Sequence, residues 1–273
     1  VISGETHTYM EGRGVLQEIE RKQPADVPTA LEPLVKASYR PKNQHELFQD
    51  LTSAFKEMRS GRPGPTFVSL PMDVQAESSD VPVAVQQKLT NLNSGASIDT
   101  SKIAAAADLF STSKRPVILA GGGVTLANAE DVLLELAERT GAAVVTTLQG
   151  KGCFPEDHKL YGWHLGTKGT SIGNALTTNA DVILAIGTRF TDQVSSSFRG
   201  GVTFSVEKTK LIQIDIDSRE LGKNYDIDIG IQGDAKKVLT EINGQIKEKK
   251  HSINYISSEY FSEIQQLRAR SLN

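Results

Sequence analysis

Apolar runs and segments of helical periodicity alternate along the chain from about residue 101 onward. The apolar runs predict strands at 116–120, 142–146, 181–186, 210–216 and 229–233. Apolar positions at helical spacing predict helices at 103–110, 129–140, 171–178 and 235–247. Strands that are apolar throughout and separated by helices are typical of parallel sheets covered on both faces. The pattern therefore predicts an α/β domain with a doubly wound parallel sheet and helices on both faces.

The segment before this domain carries part of a second α/β pattern. A helix is predicted at 45–59, and the string GRPGP at 61–65 ends it because proline and glycine disfavour helix continuation. A β-rich run follows at 66–70. Residues 76–100 show no clear periodicity and are predicted to form a linker. The polar tail at 246–273, with a helix candidate at 255–267, is predicted to begin a connection to a further domain.

Charge and cysteine content exclude several classes of function. Lysine and arginine number 30 and aspartate and glutamate 33, which gives a net charge of −3. Without a basic excess, nucleic acid and anionic membrane surfaces are not expected partners. No apolar run approaches the roughly 18 residues that a membrane-spanning helix needs. The single Cys153 excludes an intrachain disulfide framework and fits a reducing, cytoplasmic compartment.

Three consecutive glycines are the first candidate for ligand chemistry. Gly121, Gly122 and Gly123 follow the predicted strand at 116–120 and precede a helix. Glycines at such a turn let the backbone approach a phosphate and present N–H groups to it. Leu126 stands where the third glycine of a G-x-G-x-x-G dinucleotide motif would be, so that motif is incomplete. An ordinary strand-to-helix turn without a ligand is the alternative.

Charged residues follow two more of the predicted strands, at the edge where ligands bind in parallel sheets. Arg189 could pair with a phosphate or stack on a flat ring, or it could form a surface ion pair with Asp192. Asp215 could accept a hydrogen bond from a ribose hydroxyl. Capping of a following helix explains Asp217 or Ser218 at least as well as a ligand does.

Other chemistries find little support in the sequence. The five histidines are scattered without the spacing of a zinc site, and no G-x-S-x-G or P-loop motif occurs. Tyr161, Trp163 and His164 cluster after Phe154 and could line the edge of a ligand, but packing of a loop explains them better. We therefore predict neither a metal site nor a hydrolase.

Several strings, in order, resemble thiamine-diphosphate (ThDP) enzymes of the acetolactate synthase type. TTLQGKGCFPEDH at 146–158 resembles the TTLxGKGxFPExH stretch of that family's central domain. HLGTKGT at 164–170, AIGTRFTD at 185–192, IDIDSRELGKN at 214–224 and IQGDAKKVL at 231–239 follow in the family's order. Upstream, SGRPGPTFVSLPMDVQ at 60–75 and EGRGVLQE at 11–18 resemble parts of the family's pyrimidine-binding domain.

The resemblance implies a domain map and a set of site residues. Residues 1–75 would be the C-terminal part of the pyrimidine-binding domain, and 101–245 a Rossmann-like central domain. Flavin-containing members hold FAD along the central domain, whereas others bind ADP there or no nucleotide. Gln17 and Lys36 match positions that look toward the substrate channel. The cofactor-binding positions that carry over are Gly121, Gly122, Gly123, Thr147, Leu148, Leu165, Gly166, Gly169, Gly187, Arg189, Asp192, Asp215, Gly233 and Asp234.

Three departures from the family's pattern bear on the activity. The family's R-F-D-D-R reads RFTDQ at 189–193, its G-M-H-G turn reads GTKG at 166–169, and Leu16 replaces an aromatic residue. The first change removes a basic contact to the cofactor. These differences leave room for related enzymes of the trihydroxycyclohexanedione hydrolase, glyoxylate carboligase or sulfoacetaldehyde acetyltransferase type.

The resemblance also implies that this chain is a piece of a larger enzyme. The family's ThDP-activating glutamate would precede residue 1, and its Mg²⁺- and diphosphate-binding G-D-G…N-N stretch would follow residue 273. We therefore expect no catalytic residue in the chain and no activity from it alone. The parent would be a homo-oligomer that uses ThDP and Mg²⁺ to form or cleave C–C bonds in small 2-keto acids or related carbonyl compounds. A flavin or nicotinamide oxidoreductase domain and a non-catalytic binding domain are the alternatives from other classes.

Overall fold

A computed structural model describes residues 1–15, 27–78, 98–249 and 255–271 of the 273-residue chain. The chain divides into two compact units, 1–95 and 96–273. In the described residues, none of the helices has the length and apolar character that crossing a membrane requires. Most of the linker predicted at 76–100 lies outside the described residues.

The first unit contains a three-stranded parallel sheet in the order β1-β3-β2. Its strands are β1 (Ile2–Glu5), β2 (Ser38–Tyr39) and β3 (Phe67–Pro71). Its helices are α1 (Val27–Leu31), α2 (Gln44–Arg59) and α3 (Met72–Ala76), and 3-10 turns occupy Thr8–Met10 and Glu32–Leu34. The predicted helix at 45–59 and the predicted strand at 66–70 are confirmed as α2 and β3.

Helix α2 has sequence-encoded ends. The side chain of Asn43 accepts a hydrogen bond from the N–H of Glu46 at 2.9 Å, and the Glu46 carboxylate accepts one from the Asn43 side-chain amide at 2.9 Å. This reciprocal pair satisfies an N–H group that would otherwise lack a partner at the helix start. At the other end, Gly61 with φ of +52° follows the cap residue Ser60 and turns the chain away.

The second unit contains a six-stranded sheet in the order β6-β5-β4-β7-β8-β9, in which every neighbouring pair is parallel. The chain winds outward from β4 on one side and then outward from β7 on the other, so the winding direction reverses between these two strands. This is the doubly wound arrangement that the apolar pattern predicts, and the fold class is confirmed. The strands are β4 (Pro116–Ala120), β5 (Ala143–Thr146), β6 (Tyr161–His164), β7 (Val182–Ile186), β8 (Lys210–Asp215) and β9 (Ile229–Gln232).

Helices separate most of these strands, and their apolar side chains form the core together with those of the sheet. Strands β4, β5 and β7 are buried along their whole length. Leu133 and Leu136 are fully buried, and each such side chain contributes about 1.5–3 kcal/mol to folding. The helices are α4 (Thr100–Ser111), α5 (Gly122–Leu126), α6 (Glu130–Thr140), α7 (Ser171–Thr178), α8 (Ala235–Lys249) and α9 (Glu259–Ser271), with 3-10 turns at Ser218–Glu220 and Tyr255–Ser257.

The edge strand β6 is the strand of the six-stranded sheet that the sequence pattern missed. In its pairing with β5, Tyr161 lies opposite Val144 and His164 lies opposite Thr146. Strand β6 therefore contains one residue more than β5 between the two paired positions. Trp163 adopts a left-handed φ of +59°, as expected for an inserted residue in a bulge. The aromatic cluster that we attributed to packing of a loop therefore lies in a bulged edge strand.

The tail helix α9 packs against the central sheet unit. Phe261 and Ile264 are buried, and the Tyr260 hydroxyl donates to the Pro116 carbonyl at 3.1 Å. Arg268 donates to the carbonyl oxygens of His158 at 2.9 Å and Tyr161 at 2.5 Å. The predicted helix at 255–267 is thus present, shifted toward the C-terminus. That the tail leads to a further domain stays a prediction.

Candidate functional site

The residues that carry over from the resemblance to the central domain gather at one edge of the six-stranded sheet. They follow the carboxyl ends of all six strands, which meet at the same edge because the sheet is parallel throughout. Ligands of open α/β sheets bind at this edge, next to the point where the winding reverses. In this unit that point lies between the ends of β4 and β7.

Gly121 and Gly123, after β4, pack directly on the backbone of Gly187 after β7, whereas Gly122 faces Gln149. A Cβ atom on Gly121 would lie 2.2 Å from the Gly187 carbonyl oxygen, and one on Gly123 would lie 2.6 Å from the Gly187 Cα. The N–H groups of Gly121 and Gly123 donate to the carbonyls of Ile186 at 2.8 Å and Gly187 at 3.2 Å. Two of the N–H groups expected to face a phosphate are therefore engaged inside the protein. Close strand-to-strand packing requires these glycines whether or not a ligand binds.

The turn after β5 combines a buried threonine with an exposed leucine. Thr147 donates its N–H to the Ala120 carbonyl at 3.0 Å, and its hydroxyl accepts from the N–H of Gly150 at 3.1 Å. A Cβ on Gly150 would lie 2.3 Å from the Ala120 carbonyl oxygen, so this turn also presses against the end of β4. Leu148 is 49% exposed. The turn thus holds an apolar side chain in solvent beside the glycine turn.

The turn after β6 is fixed by side-chain and backbone hydrogen bonds. The Asn174 side chain accepts from the N–H of Gly166 at 2.9 Å and donates to its carbonyl at 3.2 Å. Gly166 has φ of +102°, and the N–H of Thr167 donates to the Gln193 carbonyl at 2.8 Å. Leu165 beside it is buried, and Gly169 closes the turn by donating to the Gly166 carbonyl at 2.9 Å. These bonds join the turn after β6 to the loop after β7.

Arg189 and Asp192 are both exposed in the loop after β7. In the described parts of the chain, no ion pair links them, so the surface-pair explanation is not supported. The Asn224 side chain donates to the carbonyls of Arg189 at 2.9 Å and Phe190 at 3.1 Å. Phe190 is buried with a left-handed φ of +48°, which turns the loop so that Arg189 faces solvent.

The acidic residues at the end of β8 and just after β8 and β9 form hydrogen bonds within the local backbone. Asp215 accepts from the N–H of Asp217 at 2.9 Å, and its carbonyl accepts from the N–H of Gly233 at 3.0 Å. Asp217 caps the turn at Ser218–Glu220 and holds Arg219 by two bonds of 2.9 and 2.7 Å. The capping interpretation of Asp217 is confirmed, and the hydrogen bonds to the Asp217 carboxylate raise the pKa of Arg219 above its ordinary value. Asp234 begins α8 by accepting from the N–H of Lys237 at 3.1 Å.

The two predicted substrate-channel residues belong to the first unit. Gln17 lies outside the described residues. The Lys36 ammonium donates to the carbonyls of Glu57 and Ser60, each at 2.5 Å. It therefore binds the C-terminal carbonyls of α2, where a cation is favoured by the helix dipole.

Two polar residues that shape this edge were not identified from the sequence. Gln213 is buried within β8, and its amide donates to the Glu220 carbonyl at 3.0 Å and accepts from the N–H of Gly222 at 2.9 Å. A glutamine inside an apolar strand was the available signal. Asn224, the second, also borders an open cavity of about 460 Å³ lined by Val206, Glu207, Gly222, Lys223, Asn224, Tyr225 and Asp226.

The described residues hold no cluster of three His, Cys, Asp or Glu side chains that could bind a metal ion.

Comparison with known families gives a match over residues 103–242 to the central domain of thiamine pyrophosphate enzymes. The matched segment is just over half of the chain and contains all six strands of the second unit's sheet. The chain belongs to this family.

Curated relatives extend the similarity into the first unit. A probable acetolactate synthase large subunit of Methanocaldococcus jannaschii is 39% identical over 244 residues, covering 88% of this chain and 40% of the relative. The acetolactate synthase large subunit of Corynebacterium glutamicum is 33% identical over 269 residues, covering 98% and 41%. The glyoxylate carboligase of Escherichia coli O157:H7 is 35% identical over 219 residues, covering 80% and 36%. The chain thus spans about 40% of the length of these relatives.

Proposed function

We propose that the chain is part of a ThDP- and Mg²⁺-dependent enzyme that forms or cleaves C–C bonds in 2-keto acids or related carbonyl compounds. Family membership supports the use of ThDP, which supplies carbanion chemistry when bound. The similarity to proteins named acetolactate synthase and glyoxylate carboligase supports the class of substrate. Relatives of the trihydroxycyclohexanedione hydrolase and sulfoacetaldehyde acetyltransferase type stay within this proposal. The parent enzyme is proposed to be a cytoplasmic homo-oligomer.

The central unit is proposed to bind FAD or ADP along the carboxyl edge of its sheet. The observation that carries this proposal is the pair Arg189 and Leu148. Both side chains are exposed, and they follow strands β7 and β5, which flank β4 on its two sides. A guanidinium suits the phosphates, and an apolar side chain suits a flat ring system. With two glycine N–H groups engaged internally, Arg189 would supply the main phosphate contact.

Titration of the purified chain with FAD, followed by flavin fluorescence, and with ADP, followed by calorimetry, tests this. We expect saturable binding of at least one nucleotide, and we expect Arg189→Gln to weaken it about tenfold, as loss of a charge-assisted contact does. Arg270→Gln is the matched control, because Arg270 is also exposed but lies on α9, near the end of the chain. Absence of binding by either nucleotide, or equal affinity for the Arg189 variant, would contradict the proposal.

The 273-residue chain alone is proposed to lack ThDP-dependent turnover, since it spans about 40% of the length of its relatives. Incubation with pyruvate, ThDP and Mg²⁺ should leave the pyruvate concentration unchanged. Pyruvate consumption above that of a heat-denatured sample would refute this statement. That outcome would leave the nucleotide proposal untouched, because the two measurements are independent.

A further inference from the structure

Three buried polar side-chain atoms belong to residues of the paired strands β5 and β6. They are the hydroxyl oxygens of Thr146 and Tyr161 and the Nδ1 atom of His164. Thr146 is 0% and Tyr161 1% exposed. None of the three atoms has a hydrogen-bond partner within the described residues. A buried polar group left without a partner costs about 1–3 kcal/mol, so three such groups on one pair of strands call for an explanation.

The strand pairing places these side chains on one face of the sheet. Thr146 pairs with His164, and Tyr161 pairs with Val144, two residues earlier on the same strand. Residues two apart in a strand share a face, and the bulge at Trp163 keeps Tyr161 and His164 on that face as well. A Cβ atom on Gly162 would point to the other face, where it would lie 2.5 Å from the Leu176 side chain of α7. The three polar groups are therefore neighbours.

The hydrogen-bond capacity of the three groups is complementary to that of one water molecule. The His164 Nε2 atom lies 3.1 Å from the Lys168 carbonyl oxygen, which can only accept, so Nε2 carries the ring proton. In the neutral ring Nδ1 is then an acceptor. Thr146 and Tyr161 each bring a hydroxyl that can donate. A group that donates to Nδ1 and accepts from a hydroxyl satisfies this set, and water does both.

The two hydroxyls are close enough to share a partner. Burial raises the pKa of Tyr161, and hydrogen bonding from the neighbouring Thr146 side chain lowers it, as expected for hydroxyls that lie near each other. Neither hydroxyl makes a direct hydrogen bond of normal geometry within the described residues. Neighbouring buried polar groups without a direct bond are commonly joined through a water molecule.

We propose that Thr146, Tyr161 and His164 form a buried binding site for one structural water molecule between β5 and β6. This water fixes the tautomer of His164, and through the bond from Nε2 to the Lys168 carbonyl it holds the turn at 166–169. The three residues are thus positioning residues for the carboxyl edge. This water site does not depend on whether a nucleotide binds at the carboxyl edge of the sheet.

A crystal structure of the chain at about 1.5 Å resolution tests the site directly. We expect one water oxygen within about 2.7–3.2 Å of all three polar atoms, the normal hydrogen-bond range. Nitrogen NMR of the His164 ring should show a proton on Nε2 and an unprotonated, hydrogen-bonded Nδ1. A dry site, or a proton on Nδ1, would overturn the proposal.

Stability measurements provide a second test, because the change in stability on removing a hydroxyl distinguishes a water-bound hydroxyl from one without a partner. Thr146→Val keeps the shape and removes the hydroxyl. If the hydroxyl binds the water, the folding equilibrium constant should fall about 5- to 30-fold; if the hydroxyl has no partner, its removal should leave folding unchanged or favour it. Tyr161→Phe should behave in the same way. The double variant should lose less than the product of the two effects, because both changes disrupt one shared site.

The control for this coupling is Thr177→Val combined with Tyr161→Phe. The Thr177 hydroxyl is buried but donates directly to the Thr203 carbonyl at 2.6 Å. Its loss should also destabilise the fold, yet additively with Tyr161→Phe. Additive effects for the Thr146 and Tyr161 pair would count against a shared water. If Thr146→Val does not fold, the crystallographic and NMR results on the unaltered chain still decide.

Discussion

The carbonyl oxygen of Gly187 lies 2.2 Å from the point where a Cβ atom of residue 121 would stand. The ends of β4 and β7 therefore touch backbone to backbone, at the place where the winding of the sheet reverses. Such close approach explains the glycines at 121 and 123 without any ligand. It also makes this contact one of the most sensitive points of the fold.

Gly187→Ala is expected to lower the free energy of unfolding by at least about 2 kcal/mol. Gly187 has φ of +57°, and an added Cβ would lie 2.5 Å from the Gly123 Cα, so strain and steric overlap act together. Urea unfolding monitored by circular dichroism measures the change. Gly244→Ala is the control, because Gly244 lies in α8 with open space around it and should gain about 0.5–1 kcal/mol. Equal stability of Gly187→Ala and the unaltered chain would contradict this account.

Asp181 is expected to make stability depend on pH in the acid range. Burial disfavours its charged form, but bonds from the Ser113 hydroxyl and from the N–H groups of Lys114 at 2.7 Å and Arg115 at 2.9 Å outweigh burial and lower its pKa. Because the folded pKa lies below the unfolded value of about 3.9, its contribution is complete above that pH and is lost as pH falls through the folded pKa. Asp181→Asn should therefore lose less stability than the unaltered chain between about pH 5 and 2.

Parallel urea titrations of the two proteins at each pH measure this difference. Asp157→Asn serves as the control, since it removes the same formal charge from an exposed side chain in the loop after β5. Identical slopes for Asp181→Asn and the unaltered chain would show that Asp181 does not carry the effect.

Arg268→Ala is expected to loosen α9 from the sheet unit. The guanidinium donates to the His158 and Tyr161 carbonyls and lies 4.8 Å from the centre of the Trp163 ring. Loss of these contacts should cost about 1.5–4 kcal/mol. Hydrogen exchange of 259–271 should speed up, with the remaining helices less affected. Arg270→Ala, on the exposed side of the same helix, should change nothing, and equal exchange in both variants would refute the assignment.

Cys153 is expected to be unreactive in the folded chain. Its side chain is buried, and burial raises the pKa of its thiol to about 12, so almost no thiolate forms at neutral pH. A thiol-specific reagent such as dithiobis-nitrobenzoate should label it at pH 8 only as fast as the chain unfolds. Labelling in urea provides the fully reactive reference. Rapid, complete labelling without denaturant would contradict the burial.

The sequence predicted the regular elements well where one local signal dominated. Strand β4 and helix α7 match their predicted ranges, and Gly141 ends α6 in the left-handed conformation that favours glycine there. The edge strand β6 escaped because its residues lack an apolar run and because the bulge at Trp163 breaks its alternation. Bulges depend on the partner strand, which a single stretch of sequence does not reveal.

The position of the candidate residues in the fold was easier to predict than their contacts. The strand-end residues that the resemblance names lie at one edge because the sheet is parallel, and parallel topology follows from the alternating pattern. The engagement of the Gly121 and Gly123 N–H groups by β7 was not predictable, because it depends on the register between strands distant in sequence. The same holds for Arg268, whose partners lie more than a hundred residues away.

Helix α9 determines where the chain can be truncated without exposing its core. The family match ends at residue 242, inside α8 (Ala235–Lys249), yet Phe261 and Ile264 fill the same core. A truncation drawn at the homology border would uncover that core and leave half a helix behind. For gene fusions or domain exchange, the junction belongs after residue 271, where the last packed helix ends.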